Sequence, residues 1–376
     1  MSEFAAGPAG RIERVRALMI ERGYDAIVVR DEANLRWLTG VKGVFDYTFE
    51  FPHAAFITAD QCLFHTDSRY LNSFEENTPG GSPWVYDMDE GTIPGWVAGK
   101  IAANKCRVCA VEDDMQINFY QGIQRGLEDR SVACMLPLMH DDIRKMRAIK
   151  DAEEIELMRH AQSITDAAFQ HMLGFIKPGM TEKQVRNELE NFMFANGADS
   201  LAFGSIVASG PNTANPHAVP SDRVIEKGDF VLMDYGAGYC DYRSDMTRTV
   251  VMGEPTQEQF DLYSLVRRTH EECVAAIHPG VEGNDIFKLS KKIIGDAGYG
   301  DYYNHGLGHG VGIDIHELPN FNRSKNIIEV GSVITMEPGV YLPGVGGVRL
   351  EDYGVVTENG YEPFTKTPHD LHIIDC

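Results

Sequence analysis

FIKPGMTEKQV (175–185) and AIHPGVEGNDI (276–286) decide the fold, because one reads as a copy of the other. Aligning Pro178 with Pro279 sets an offset of 101 residues, and Asn196-Gly197 then falls on Ala297-Gly298. Each copy reads as a helix, a Pro-Gly turn, a second helix and then strands. Two copies alone predict internal pseudo-two-fold symmetry rather than a solenoid. Two sheets related in this way would enclose a cleft, a favoured place for a ligand.

The strands expected after each copy carry acids. In FVLMDYGAGYCDYRSDMTRTVV (230–251), Gly236 and Gly238 predict a hairpin turn. Asp234 then ends the first strand, and Asp245 lies on the second, sharing a face with Arg243, Thr247 and Thr249 by alternation. A single aspartate here would usually be a turn cap. After the second copy, VITMEPG sets Glu337 in an apolar run, and GGVRLEDYGVV sets Glu351 in another. A glutamate in such a run is rarely buried without a partner. The partner is either a shared cation or a salt bridge, for which Arg349 is the obvious candidate.

HGLGHGVGIDIHE (305–317) holds three histidines and four glycines in thirteen residues. Glycines at 306, 308, 310 and 312 would badly weaken a helix, so the segment is expected to be extended, with one face of bare backbone open to close approach. His305 and His309 would then stand about 13 Å apart at ~3.3 Å per residue, too far to share one ion unless the chain bends. One histidine is therefore expected as a ligand and the others toward substrate. The helical HExxH zinc motif does not fit, because Leu-Pro-Asn follows His316-Glu317. A glycine-rich loop with incidental histidines is the plain alternative.

Together Asp234, Asp245, Glu337, Glu351 and His309 offer four carboxylates and one imidazole. That donor set suits two hard or borderline divalent ions such as Mn²⁺, Co²⁺ or Zn²⁺. With no cysteine among the donors, a structural zinc does not fit. Two ions ~3.5–4 Å apart can hold a bridging hydroxide and polarise a carbonyl, which is hydrolytic chemistry. No P-loop, GxGxxG or GxSxG pattern competes.

Upstream of residue 140 the pattern differs. Gly10 to Arg22 predicts a helix, and DAIVVR, AAFITA, QCLFHT, WVYDM, RVCAVE and ACMLPL predict strands. Ile93–Ala103 and Gln116–Leu127 predict helical connections. This is an α/β domain ending near Asp141, with the boundary between residues 140 and 150. Beyond it, Asp151 and Glu154 predict a capping box. Cys106 and Cys109 form a CxxC within a strand and are expected to be core thiols rather than a redox or zinc site. With 376 residues the chain can bury two cores. Its net charge of −22 disfavours nucleic acid and anionic membranes. Seven scattered cysteines predict reduced thiols. No signal peptide is visible, and no apolar run approaches the ~18 residues of a membrane span. A cytoplasmic protein is expected.

These blocks resemble the pita-bread metallopeptidases, which include aminopeptidase P, prolidase, methionine aminopeptidase and the metal-free creatinase. NLRWLTG (34–40) and TDSRY (66–70) resemble the amino-terminal domain of that family. ASGPNTANPHAVPS (208–221), DYGAGYCDYRSDMTRT (234–249), HGLGHGVGIDIHELP (305–319), TMEPGVY (335–341) and GGVRLED (346–352) resemble its catalytic blocks. The resemblance spans essentially the whole chain, and the extra amino-terminal domain places it nearer aminopeptidase P and prolidase. It implies an α/β (α+β) fold, with a creatinase-like amino-terminal domain (1–145) and a catalytic pita-bread domain (146–376).

By the same resemblance, Asp234 would bind one metal, His309 and Glu337 the other, and Asp245 and Glu351 would bridge both. Glu337 would also shuttle a proton. His217 would contact substrate and steady the tetrahedral intermediate, and His316 would hold the substrate carbonyl or the intermediate. His305 would line the proline-side pocket, and Arg349 would contact substrate or the carboxylate network. On its own, His217 would pass for a surface-loop residue, and Phe203 for core rather than pocket wall. The implied activity is Xaa-Pro dipeptidase or Xaa-Pro aminopeptidase, with a metal-bridging hydroxide, Mn²⁺ as the expected metal and Co²⁺ or Zn²⁺ as alternatives. Peptides with proline at the second position are the implied substrates, a homodimer is the implied assembly, and no nucleic-acid or membrane partner is expected. A non-peptidase small-molecule hydrolase or lyase is the alternative, while a catalytically silent binding protein fits poorly with an intact ligand set. Dipeptides and longer peptides are not distinguished.

Overall fold

The structure, a computed structural model, describes residues 7–44, 51–88, 91–322 and 325–376. The chain separates into two compact units, residues 1–146 and 147–376.

In the first unit the elements run α1 (Gly7–Arg22), β1 (Ala26–Val29), α2 (Glu32–Thr39), β2 (Ala54–Thr58), β3 (Cys62–His65), α3 (Leu71–Asn77), β4 (Val85–Asp87), α4 (Ile93–Ala103), β5 (Cys109–Val111) and α5 (Ile117–Asp129). The strands form one mixed sheet in the order β4-β3-β2-β1-β5. Ala26, Val28 and Phe56 on it pack against Trp96, Val97 and Ile101 of α4 and Phe119 and Ile123 of α5. The Oγ1 of Thr92 accepts from the Gly95 amide, and Pro94 occupies the first turn of α4, which together fix where that helix begins. Cys106 and Cys109 lie in this core, where burial pushes the Cys106 thiol up to about 11. ACMLPL is not a strand. It makes only two isolated bridges, Val108 with Met135 and Val111 with Leu138, since Pro137 has no amide hydrogen to continue the ladder. A short helix, α6 (Asp142–Arg147), follows.

The second unit shows the repeat as structure. Helices α7 (Ala152–Phe175) and α8 (Glu182–Ala195) lead to β6 (Ser200–Leu201), β7 (Ile206–Ser209), β8 (Phe230–Tyr235), β9 (Ala237–Tyr239), β10 (Tyr242–Arg243) and β11 (Met246–Met252). Helices α9 (Gln257–Ala275) and α10 (Gly283–Asp296) lead to β12 (Gly308–Gly310), β13 (Glu317–Phe321), β14 (Val333–Met336), β15 (Gly339–Leu342), β16 (Gly346–Arg349), β17 (Asp352–Thr357), β18 (Gly360–Pro363) and β19 (Ile373–Ile374). Asp151 caps α7 and Thr256 caps α9, each through a full capping box. Gly179 and Gly280 take the same left-handed turn, at φ +92° and +87°, a conformation that suits glycine. Matching isolated bridges, Thr181 with Val224 and Glu282 with Ile327, follow the two turns. The antiparallel ladder β7-β8-β11 corresponds to β12-β14-β17. Each copy has its own core, with Phe169, Leu189 and Met233 in the first and Ile277, Phe321 and Ile334 in the second.

Two local expectations change. The hairpin turns at Cys240 and Asp241, which sit at φ +47° and +71° between paired Tyr239 and Tyr242. Gly236 and Gly238 instead permit contact, since a Cβ on Gly236 would lie 1.9 Å from the Ser244 carbonyl oxygen and one on Gly238 2.2 Å from Ser200 Oγ. The glycine-rich stretch is extended only over β12. There, a Cβ on Gly308 would meet the Thr335 carbonyl oxygen at 2.3 Å and one on Gly310 that of Leu318 at 2.2 Å, so the bare face admits the neighbouring strands. No described helix is long and apolar enough to cross a membrane.

Candidate active site

The pseudo-symmetry sets the acids at equivalent positions. Asp234 is the penultimate residue of β8, and Glu337 follows β14 directly. Asp245 immediately precedes β11, and Glu351 immediately precedes β17. Cross-strand pairing sets Asp234 opposite Thr247, and Thr247 opposite Glu351, so one row of residues joins the two halves. Thr247 Oγ1 donates to Glu351 Oε2 at 2.7 Å.

His309 comes from the middle of β12, with its Nδ1 3.0 Å from the Gly310 carbonyl. The proton therefore belongs on Nδ1, and the Nε2 lone pair faces acids, 3.6 Å from Asp245 Oδ2 and 3.6 Å from Glu337 Oε1. Donor atoms of Asp245, His309 and Glu351 all lie within 4.8 Å of one another. Burial, first, holds His309 at about 4, and the neighbouring His316 adds to that. The imidazole is thus neutral and free to coordinate.

The acids are strongly frustrated as bare groups. Burial and then the charges of Asp234 and Glu337 push Asp245 well above the carboxylate range. Glu351 rises likewise from burial and then Asp245. Glu337 is pushed up to about 8, chiefly by burial, with Asp234 adding and Arg349 opposing. Asp234 Oδ1 is buried and makes no hydrogen bond among the described residues. One guanidinium, Arg349, cannot balance four carboxylates. An orphaned oxygen, three acids whose ionisation is opposed by burial and by one another, and one neutral imidazole fit a divalent metal centre of hard or borderline character.

The same cavity, of about 480 Å³, is lined by Asp234, Asp245, His309, Glu337 and Glu351 together with His217, His316 and Phe203. The rings of His316 and His309 meet edge to face at 4.4 Å. His305 is not among the lining residues. Its Nε2 lies 2.9 Å from the Tyr341 hydroxyl, which in turn accepts from Arg349 Nη1 at 2.9 Å. Arg349 also donates to Asp234 Oδ2, to the Pro216 carbonyl at 3.2 Å and to Thr247 Oγ1 at 3.1 Å.

Four contributors escaped the sequence reading. Tyr341 lies on β15, a different strand from the one Glu337 follows, so alternation carries no signal from one to the other. Arg186 and Glu190 of α8 line the cavity, and nothing in their context sets them apart from a solvated helix face. Glu182 is fully buried at the start of α8 and clamps both ends of the loop bearing His217. One oxygen accepts from the Ser209 amide at 2.7 Å, Ser209 Oγ at 2.9 Å and Asn212 Nδ2 at 3.0 Å. The other accepts from the Ser221 amide at 2.9 Å and Ser221 Oγ at 2.6 Å.

A duplicated α/β unit with acids from both copies around one cavity has the donor set of a metal-dependent hydrolase. Residues 156–358 match metallopeptidase family M24 and residues 11–149 the creatinase/prolidase N-terminal domain, so the chain belongs to family M24 and is an enzyme. A Bacillus subtilis chain named uncharacterized peptidase YqhT is 37% identical over 372 residues, covering 97% of this chain and 100% of its own length. The solved Xaa-Pro dipeptidase from Bacillus anthracis is 36% identical with a TM-score of 0.89, covering 98% of this chain and 100% of that one. The solved X-Pro aminopeptidase from Thermotoga maritima is 30% identical with a TM-score of 0.85, covering 97% and 100%.

Proposed function

We propose that this metallopeptidase cleaves Xaa-Pro bonds, as an Xaa-Pro dipeptidase or Xaa-Pro aminopeptidase, with two divalent ions held by Asp234, Asp245, His309, Glu337 and Glu351. The carrying observation is the single cavity lined by all five donors together with His217 and His316. Similarity to Xaa-Pro-cleaving enzymes supports the substrate class. Mn²⁺ is the proposed metal, and a homodimer in the cytoplasm is the proposed setting.

Ions bound there would supply Lewis acidity toward the scissile carbonyl and a water of lowered pKa. The chain's own groups do the rest. Glu337 takes a proton from the attacking water on a carboxylate oxygen and returns it to the departing proline nitrogen. His316 and His217 direct ring N–H groups at the carbonyl oxygen as negative charge develops on it. Phe203 and Ile315 give the cavity apolar wall, suited to a tertiary amide that has no hydrogen to donate. Arg349 keeps Asp234 and the His217 loop in register through Oδ2 and the Pro216 carbonyl.

The test pairs metal content with a peptide panel of Ala-Pro, Gly-Pro, Ala-Ala and Ala-Pro-Ala. About two equivalents of Mn²⁺ at this centre and a strong preference for Ala-Pro over Ala-Ala are expected. Equal cleavage of Ala-Ala removes the proline reading in favour of a broader hydrolase. No metal retention after reloading removes the metal-dependent reading itself.

A further inference from the structure

A second cluster of ligand-type side chains lies apart from the cavity. His270 on α9, Asp352 at the start of β17 and His369 in the C-terminal segment bring one donor atom each within 4.8 Å of one another. None of them lines the catalytic cavity. His369 Nε2 and His270 Nε2 approach the same oxygen, Asp352 Oδ2, at 2.5 and 3.6 Å. The other oxygen, Oδ1, is taken by Arg248 Nη2 at 2.7 Å.

A hydrogen-bonded clasp accounts for part of this arrangement and not the rest. The His369–Asp352 contact is a hydrogen bond. His270, however, is 1% exposed, and both of its ring nitrogens are buried with no hydrogen bond among the described residues. Interiors rarely leave a polar side chain in that condition, and an orphan of this kind calls for a partner. Its ring stands at 73° to that of His369, 4.7 Å between centroids, with the carboxylate oxygen between the two nitrogens' reach. His369 keeps a quarter of its side-chain surface exposed, which gives an ion a way in and a water ligand a place.

We infer that His270, Asp352 and His369 form a second metal site, taking one Zn²⁺ through two imidazoles and Asp352 Oδ2, with water as the fourth ligand. Zinc–ligand distances of about 2.0–2.1 Å put tetrahedral ligands about 3.3 Å apart, which these side chains reach by small movements. The proton shared between His369 Nε2 and Oδ2 leaves to solvent when the ion enters. Outer contacts hold the ligands in place. Arg248 fixes Asp352 and also donates to the Thr367 carbonyl at 2.7 Å, while Tyr263 donates to the His369 carbonyl at 3.2 Å. The guanidinium opposes a cation, so filling depends on free Zn²⁺ rather than being permanent. Once filled, the site pins the C-terminal segment to α9 and to the residue that follows Glu351.

Equilibrium dialysis of the full chain against Zn²⁺ tests this in a background where the catalytic centre is crippled, Glu351→Gln with His309→Ala. That protein should keep one equivalent, and adding His369→Ala or the milder His369→Asn should remove it. In the same background without the third change, Zn²⁺ should protect His369 from diethyl pyrocarbonate, read by peptide mass spectrometry. Absence of the equivalent, its survival in both His369 variants, or labelling of His369 that Zn²⁺ leaves unchanged each overturns the site. None of these outcomes touches the Mn²⁺ content or peptide cleavage of the wild-type enzyme.

Discussion

Arg349 holds Asp234 by one oxygen only: Nη2 takes Oδ2, and Oδ1 stays bare in a buried position. The guanidinium is 2% exposed and spreads its remaining donors over Tyr341, Thr247 and the Pro216 carbonyl. A lysine ammonium is a point charge and cannot span four acceptors in one plane. Arg349→Lys is expected to lower kcat/KM by about 10–100-fold, the usual cost of losing an outer-shell partner. Steady-state kinetics on Ala-Pro at saturating Mn²⁺ measures it, and unaltered kinetics would show that the charge alone suffices.

Removing metal should weaken the fold as well as the activity. The buried acids repel one another until cations enter, so binding to the native state adds stability, about 2.7 kcal/mol at a hundredfold excess over Kd. Chelation should lower the wild-type melting temperature, and Mn²⁺ should restore it. Glu351→Gln should lack both the restoration and the turnover while staying folded without metal. A Mn²⁺-dependent rise of wild-type size in that variant would exclude Glu351 as a ligand.

Glu182 touches no donor of the cavity, and its expected effect passes through His217. Replacing the carboxylate by Gln turns an acceptor toward the Ser209 or Ser221 amide into a donor. Glu182→Gln should reduce kcat/KM, and the reduction should shrink in a His217→Ala background, with a coupling of about 0.5–3 kcal/mol. Equal fold losses in the two backgrounds would separate the clamp from the histidine.

Glu317 offers a pH test away from the metal donors. It accepts from Lys150 at 2.9 Å and from Arg147, both nearly fully buried. Burial raises its pKa, and the two cations together outweigh that and hold the carboxyl at about 2. With the folded value below the usual 4.5, this stabilisation is complete above about pH 4.5 and is lost as pH falls toward 2. Glu317→Gln removes the carboxylate facing buried Lys150 and leaves Arg147 with Asp314 at 2.8 Å, and should cost about 3–5 kcal/mol at neutral pH. Urea unfolding at pH 7, 4.5 and 3 should show the gap between variant and wild type closing with acid. A gap that stays constant would assign the loss to packing.

Most of the second unit was legible because duplication writes a pattern twice. The Pro-Gly turns, the capping box at Asp151 and the flanking helices follow from local chemistry that tertiary packing does not alter. The grouping of Asp234, Asp245, Glu337, Glu351 and His309 followed from acids in apolar strands after each copy. Side-chain partners were less readable. Arg349 was offered as a salt-bridge partner for the glutamates or a contact of the carboxylate network, and the acid it reaches is Asp234, since which acid a guanidinium meets is decided by strand crossing. Glycines misled for a related reason. Gly236 and Gly238 look like turn residues, yet they are needed where another strand passes too close for a Cβ, a demand set by residues distant in sequence. His305, placed at the proline side by resemblance, is not among the residues lining the cavity and meets the Tyr341 hydroxyl at 2.9 Å. ACMLPL has strand composition, and one proline leaves it two bridges.

The equivalence of the two halves carries a consequence for how the centre is assembled. Asp234 and Asp245 come from one copy, and Glu337, Glu351 and His309 from the other. A polypeptide of half this length would hold two acids and complete the set only by meeting its twin, an encounter that fades on dilution. Tethering the twins converts that encounter into an intramolecular one at high effective concentration. Readiness of the centre therefore does not depend on how much protein is present. The tether also releases the copies from having to stay alike, and β7 shows it: its Ile206–Ser209 carries no imidazole where β12 carries His309.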